Sequence, residues 1–152
     1  MARTRKQSSN WYIAATHYLT SGFFFPGLAM LILAFIIIPL IGLKTLMSPP
    51  VYFLFELGSW ILGMWWGIMY SASHLNKWYI LKEKSKIVSL STNYYIVLYT
   101  IGALIQFISG RVTIMTIVYT VIFLGITTSL FYLFSKKYVK NEDEILTSKP
   151  EF

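Results

Sequence analysis

Four apolar runs dominate the sequence, at residues 22–42, 51–75, 94–109 and 112–134. A helix needs roughly 20 apolar residues to cross the hydrocarbon core of a bilayer, because each residue advances it only ~1.5 Å. No water is present there to satisfy exposed backbone groups, so each crossing segment must close its own hydrogen bonds. The runs therefore predict an all-α integral membrane protein, with four transmembrane helices paired in two hairpins. Composition agrees: 56% of residues are hydrophobic and 12% charged, about half the charged share of a soluble domain. Residues 1–138 are expected to form a single four-helix transmembrane domain, and residues 139–152 a mobile cytoplasmic tail.

The first run is preceded by a transitional stretch. Residues 11–21 mix Trp11, Tyr12 and Tyr18 with Thr16, His17 and Thr20, a blend suited to the headgroup level, and are expected to be interfacial. Pro26 lacks an N–H and is expected to bend the chain there. The basic start, with Arg3, Arg5 and Lys6, precedes an apolar run too long for a signal peptide, so a retained signal-anchor helix is expected.

The basic residues sort by side. Eleven of the thirteen Lys and Arg fall in the amino-terminal arm, the Asn76–Asn93 connection and the segment after Ser135; only Lys44 and Arg111 fall on the other side. Cytoplasmic loops carry such an excess, so both termini are expected in the cytoplasm and the chain in the plasma membrane. Lys77, Lys82, Lys84 and Lys86 are expected to meet anionic headgroups. The net charge of +7 is thereby a topology signal, and no nucleic-acid partner is expected.

The second run carries the strongest pattern. Glu56, Ser59, Gly63, Gly67, Ser71 and His74 fall within about 60° of one line on a helix turning roughly 100° per residue. Gly63-Met-Trp-Trp-Gly67 is a GxxxG, the arrangement that lets two helix backbones approach closely in lipid. Ser59, Gly63, Gly67 and Ser71 are thus candidate helix-interface residues. Trp65 projects from the opposite flank, where its indole N–H calls for a second protein surface.

Three further groups are candidates for chemistry. Glu56 is the one acid inside a run, and its expected partners are Lys44 or Arg111, as a rim ion pair or a cation-coupling group. Gln106, with Tyr99 on the third run and Thr116 and Thr120 on the fourth, forms polar rows that either line a narrow pathway or bond between helices. His17 and His74 are candidate ligands for haem b or a metal, against a plain structural role. No cofactor is the default expectation.

Hydrolytic and nucleotide chemistry is not indicated. The sequence has no cysteine, no HExxH, no Walker loop and no dinucleotide fingerprint, and Gly58-Ser59-Trp60 is not a nucleophile elbow. The favoured reading is a non-catalytic accessory or assembly subunit that docks to other membrane proteins through the Gly/Ser face. The runner-up is a homo-oligomeric small transporter or channel with Glu56 and Gln106 on its pathway, and the third a haem-b-binding anchor using His17 and His74. Sidedness is checked directly: in this cysteine-free chain, Lys82→Cys should react with an impermeant maleimide only after the cytoplasmic face is exposed. Labelling of intact cells would reverse the orientation.

Overall fold

The computed structural model describes residues 6–110, 112–141 and 144, so Arg111 and most of the expected tail lie outside it. The chain runs through α1 (Asn10–Tyr18), a π-helical turn (Leu19–Phe24), α2 (Phe25–Ile41), α3 (Leu43–Leu46), α4 (Pro49–Trp78), α5 (Lys84–Ser109) and α6 (Ile114–Tyr138). Among the described residues there is no strand, and one isolated bridge joins Lys6 to Tyr79. Four helical segments are long and apolar enough to cross a membrane: Asn10–Ile41, Pro49–Trp78, Lys84–Ser109 and Ile114–Tyr138. The protein is an all-helical, multi-pass membrane protein in outline.

Local chemistry sets the boundaries. Gly42, at φ 81°, ends α2 in a backbone conformation that side chains disfavour. Pro49 and Pro50 open α4, where the missing N–H groups have no partner to lose. Thr113 caps α6, its Oγ1 accepting from the Thr116 N–H at 3.1 Å. The bend expected at Pro26 takes the form of the π-turn. The Phe25 N–H there donates to the carbonyl of Thr20, five residues back, and the widened turn absorbs the donor that proline lacks.

The helices outrun the apolar stretches. Residues 11–21 are helical and bury Ile13, Ala14, His17, Tyr18 and Ser21 between the helices. The expected 76–93 connection shrinks to residues 79–83, since α4 continues to Trp78 and α5 begins at Lys84. Ile87, Val88, Ser91, Thr92 and Tyr95 are buried at steps of one, three, one and three along α5, a helical face that mean hydropathy cannot register. Similarly, α6 reaches Tyr138, and Val139, at the start of the supposed tail, is fully buried.

Side-chain bonds tie this end together, here called the arm end. Backbone bonds join Lys6 to Trp78 and Ile80, and Asn10 Nδ2 donates to Glu83 Oε2 at 2.5 Å. Asn76 donates to the Tyr138 carbonyl at 3.2 Å and accepts from the Lys140 N–H at 3.1 Å. Lys84 Nζ lies 2.9 and 3.0 Å from the Glu144 oxygens, and that bond holds the Glu144 carboxyl below its usual range.

α4 is the central element. It packs on α2 and the π-turn along one side and on α6 along another, while α1 packs on α5 and to a lesser extent on α4, and α5 packs on α6. α4 and α5 make no extensive contact with each other, nor does α2 with α5 or α6. The first membrane segment therefore fills the space between α4 and α5 at the arm end, then leaves it and continues against α4 alone. The departure is dictated by glycine. A Cβ at Gly63 would sit 2.5 Å from the Phe25 carbonyl oxygen and 2.6 Å from Pro26 Cα; at Gly67 it would sit 2.8 Å from Ser21 Cα. Backbone meets backbone there, as small residues permit. Gly63→Ala should therefore cost about 1–3 kcal/mol through overpacking and lower the melting temperature in detergent. Gly58→Ala, where an added Cβ meets nothing within 4 Å, should leave it unchanged.

Candidate functional site

Where the first segment departs, the other three helices enclose a cavity of about 830 Å³. Its floor is Tyr18, Leu19 and Phe23, at and beside the π-turn. The amino-terminal half of α4 contributes Tyr52, Phe53, Glu56 and Trp60; the end of α5 contributes Tyr99, Gly102 and Gln106; the start of α6 contributes Thr116, Tyr119, Thr120 and Phe123. No residue of α2 lines it; Met47 reaches it from the turn between α3 and α4, and Pro49 from the first residue of α4. This is the turn end of the bundle, opposite the arm end.

Aromatic contacts shape the walls. Phe53 stacks on Tyr119 at 4.7 Å between ring centroids, closing α4 against α6. Trp60 meets Tyr99 edge-on at 5.4 Å and Phe123 at 6.0 Å. Below them Tyr99 stacks on Tyr95 at 4.6 Å, and Tyr95 on Phe131 at 4.9 Å. Trp60 Nε1 and Tyr95 Oη are buried without a partner of hydrogen-bond geometry, although Thr127, Tyr99 and Trp60 lie close to Tyr95 Oη.

Glu56, Gln106, Tyr99, Thr116 and Thr120, singled out on three separate runs, all face this one cavity. The Glu56 carboxylate takes no part in the ion pairs of the described residues, which join Lys84 to Glu144 and Lys86 to Glu83. It makes no pair with Lys44, while Arg111 lies outside the described residues. The threonines do not bond between helices. Thr120 donates to the Thr116 carbonyl at 2.8 Å, and Thr116 shares a 2.8 Å hydroxyl contact with Thr113, all within α6. A hydroxyl satisfied by its own helix requires no neighbour, so the rows border an open space and knit nothing together.

The interface residues turn inward. Ser59 and Ser71 are buried, and Gly63 and Gly67 lie against residues 21–29 of the same chain. The face expected to dock to a partner is thus occupied from within. Trp65 is 41% exposed, and its indole N–H donates to Tyr138 Oη at 3.2 Å, so it needs no outside acceptor.

The two histidines part company. His17 is fully buried, its Nδ1 2.9 Å from Ser71 Oγ on α4 and its Nε2 2.9 Å from Ser135 Oγ on α6. An imidazole with one N–H donates to one serine and accepts from the other, which leaves neither nitrogen a lone pair for iron or a metal. His74 is exposed beside Trp78, with 6.1 Å between ring centroids. Among the described residues no three His, Cys, Asp or Glu gather as a metal site. The sequence offered a structural role for His17 without its partners; the apolar Ile13, Ala14 and Tyr18 flanking it on one helical face were the available signal that the ring turns inward.

The lysines reach different surroundings. Lys84 and Lys86 are ion-paired, Lys77 lies over the Trp78 ring at 5.8 Å, and Lys82 is exposed. Compared with protein-family models, with curated proteins and with solved structures, the chain matches none. The His17 bridge is testable by stability: Ser135→Ala and Ser71→Ala each strand a buried ring nitrogen and should cost about 1–3 kcal/mol. Thermal unfolding in detergent reads this, and Ser129→Ala, on an exposed hydroxyl, is the control.

Proposed function

We propose that this protein is a non-catalytic carrier or small transporter that receives a small amphipathic molecule in the turn-end cavity. The observation that carries the reading is convergence. The one acid within the apolar runs, a glutamine amide and two threonine hydroxyls come from three helices to one space of about 830 Å³, within the range of small-molecule sites. Apolar and aromatic walls with a few polar groups at one end are what an amphipathic occupant requires. On this reading the four segments form two hairpins with the arm end and both termini cytoplasmic, following the Lys and Arg bias. The cavity then belongs to the outer half of the membrane.

A second reading, the accessory subunit, keeps support from another surface. Trp65, Trp66 and Tyr70 are exposed in mid-helix, and Phe25 packs against Trp66 and Tyr70 at 5.5 and 5.3 Å. Docking would use this aromatic flank, since the glycine face is filled.

Native mass spectrometry from mild detergent separates the two. The carrier reading expects a single species, monomeric or homo-oligomeric, that retains a small-molecule adduct; Gly102→Trp should remove the adduct, because a side chain at Gly102 enters the cavity without meeting any atom within 4 Å at its Cβ. A stable hetero-partner lost in Trp66→Ala, with no adduct, would favour the subunit.

A further inference from the structure

We propose that the occupant of this cavity is a lipophilic organic cation, held between the Glu56 carboxylate and the aromatic walls and reached from the bilayer through the gap between α4 and α5. This rests on the carrier reading and assigns the class of molecule carried.

Charge comes first. Among the described residues the lining contains one carboxylate and no Lys, Arg or His. The Glu56 side chain and the Gln106 amide have no hydrogen-bond partner among the described residues. A carboxylate withdrawn from water without a partner is unfavourable, and a cation beside it offsets that penalty. An anionic occupant would find no counter-charge among the described lining residues and a carboxylate to repel it.

The walls select the same sign. Tyr52, Phe53, Trp60, Tyr99, Tyr119 and Phe123 line the space that Glu56 borders, and aromatic rings attract cations with delocalised or alkylated charge. A divalent metal ion is a poor match, because the lining offers a single carboxylate to balance its charge and no cluster of ionic ligands among the described residues.

The rim argues for lipophilicity. Leu19, Phe23, Met47 and Leu98 line the cavity yet are 54%, 63%, 59% and 47% exposed. Phe53–Tyr119 closes the α4–α6 side and Tyr99–Phe123 the α5–α6 side. Between α4 and α5 the backbones make no extensive contact; Trp60 meets Tyr99 there edge-on at 5.4 Å. On the turn-end side of that pair, among the described residues, no further ring contact joins the two helices and α2 does not span the space. The opening is therefore bordered by apolar side chains on lipid-facing helices, a route for molecules already dissolved in the bilayer.

The test uses the purified full chain in lipid nanodiscs with three probes of one shape: tetraphenylphosphonium, tetraphenylborate and neutral tetraphenylmethane. Equilibrium dialysis should show saturable binding of the phosphonium and none of the other two. Glu56→Gln and Gly102→Trp should each weaken it at least tenfold, while Gly58→Ala, outside the cavity, keeps it; an unchanged melting temperature establishes that each variant is folded. Absent phosphonium binding, or full binding in folded Glu56→Gln, overturns the cation assignment. If the neutral or anionic probe binds instead and Gly102→Trp abolishes that, the cation class falls while the cavity remains a binding site. If Gly102→Trp leaves all binding unchanged, the carrier reading falls as well.

Discussion

The backbone-to-backbone approach at Gly63 and Gly67 governs the rest of the bundle. With an added Cβ only 2.5 Å from the Phe25 carbonyl oxygen and 2.8 Å from Ser21 Cα, any side chain at these positions would force the first segment off α4. In lipid there is no hydrophobic drive to pull helices together, so close packing of small residues has to supply the attraction. Once the first segment is drawn to α4 at this point, the π-turn and Pro26 determine how it continues. It stays on α4 through α2 and withdraws from α5 and α6. The cavity is the space it vacates.

The two ends of the bundle handle polar groups in opposite ways. At the arm end each is matched: His17 bridges Ser71 and Ser135, Asn76 both donates and accepts across to the segment after α6, and Glu144 pairs with Lys84. Satisfied networks of this kind specify one packing arrangement. At the turn end a carboxylate, an amide and an indole N–H face or border a cavity without protein partners among the described residues. Of these only the Trp60 indole N–H is buried, whereas Glu56 is half-buried and Gln106 exposed, so the contrast with the bonded arm end is one of pairing across the cavity, where the helices stand apart. The aromatic column from Phe131 through Tyr95 to Tyr99 stands between the two, connecting the bonded end to the cavity wall.

Hydroxyl placement illustrates why polar rows mislead when read alone. Thr92, Thr120 and Thr127 each donate to the carbonyl four residues back on their own helix. A row of threonines is equally compatible with interhelical bonding, a wet pathway or plain self-satisfaction, because the pattern records only that the positions share a face. The surrounding space decides among these: Thr127 is fully buried, whereas Thr116 and Thr120 border the cavity.

The sequence by itself determined the class of fold, since runs such as 51–75 match the length of a membrane-crossing helix and greatly exceed that of a barrel strand. It also marked Glu56, Gln106, Tyr99, Thr116 and Thr120 as unusual, because each is costly in an apolar run. The helices extend beyond the apolar runs, because residues 11–21 and 84–93 each bury one face while their other residues are polar or exposed, and average hydropathy does not register such a face. Only the tertiary structure decided that Gly63 and Gly67 meet the chain's own first segment, that His17 joins Ser71 to Ser135, and that five scattered polar residues share one cavity. The reason is physical: periodicity reports the direction a side chain takes from its helix, whereas what it meets depends on the crossing of helices far apart in sequence.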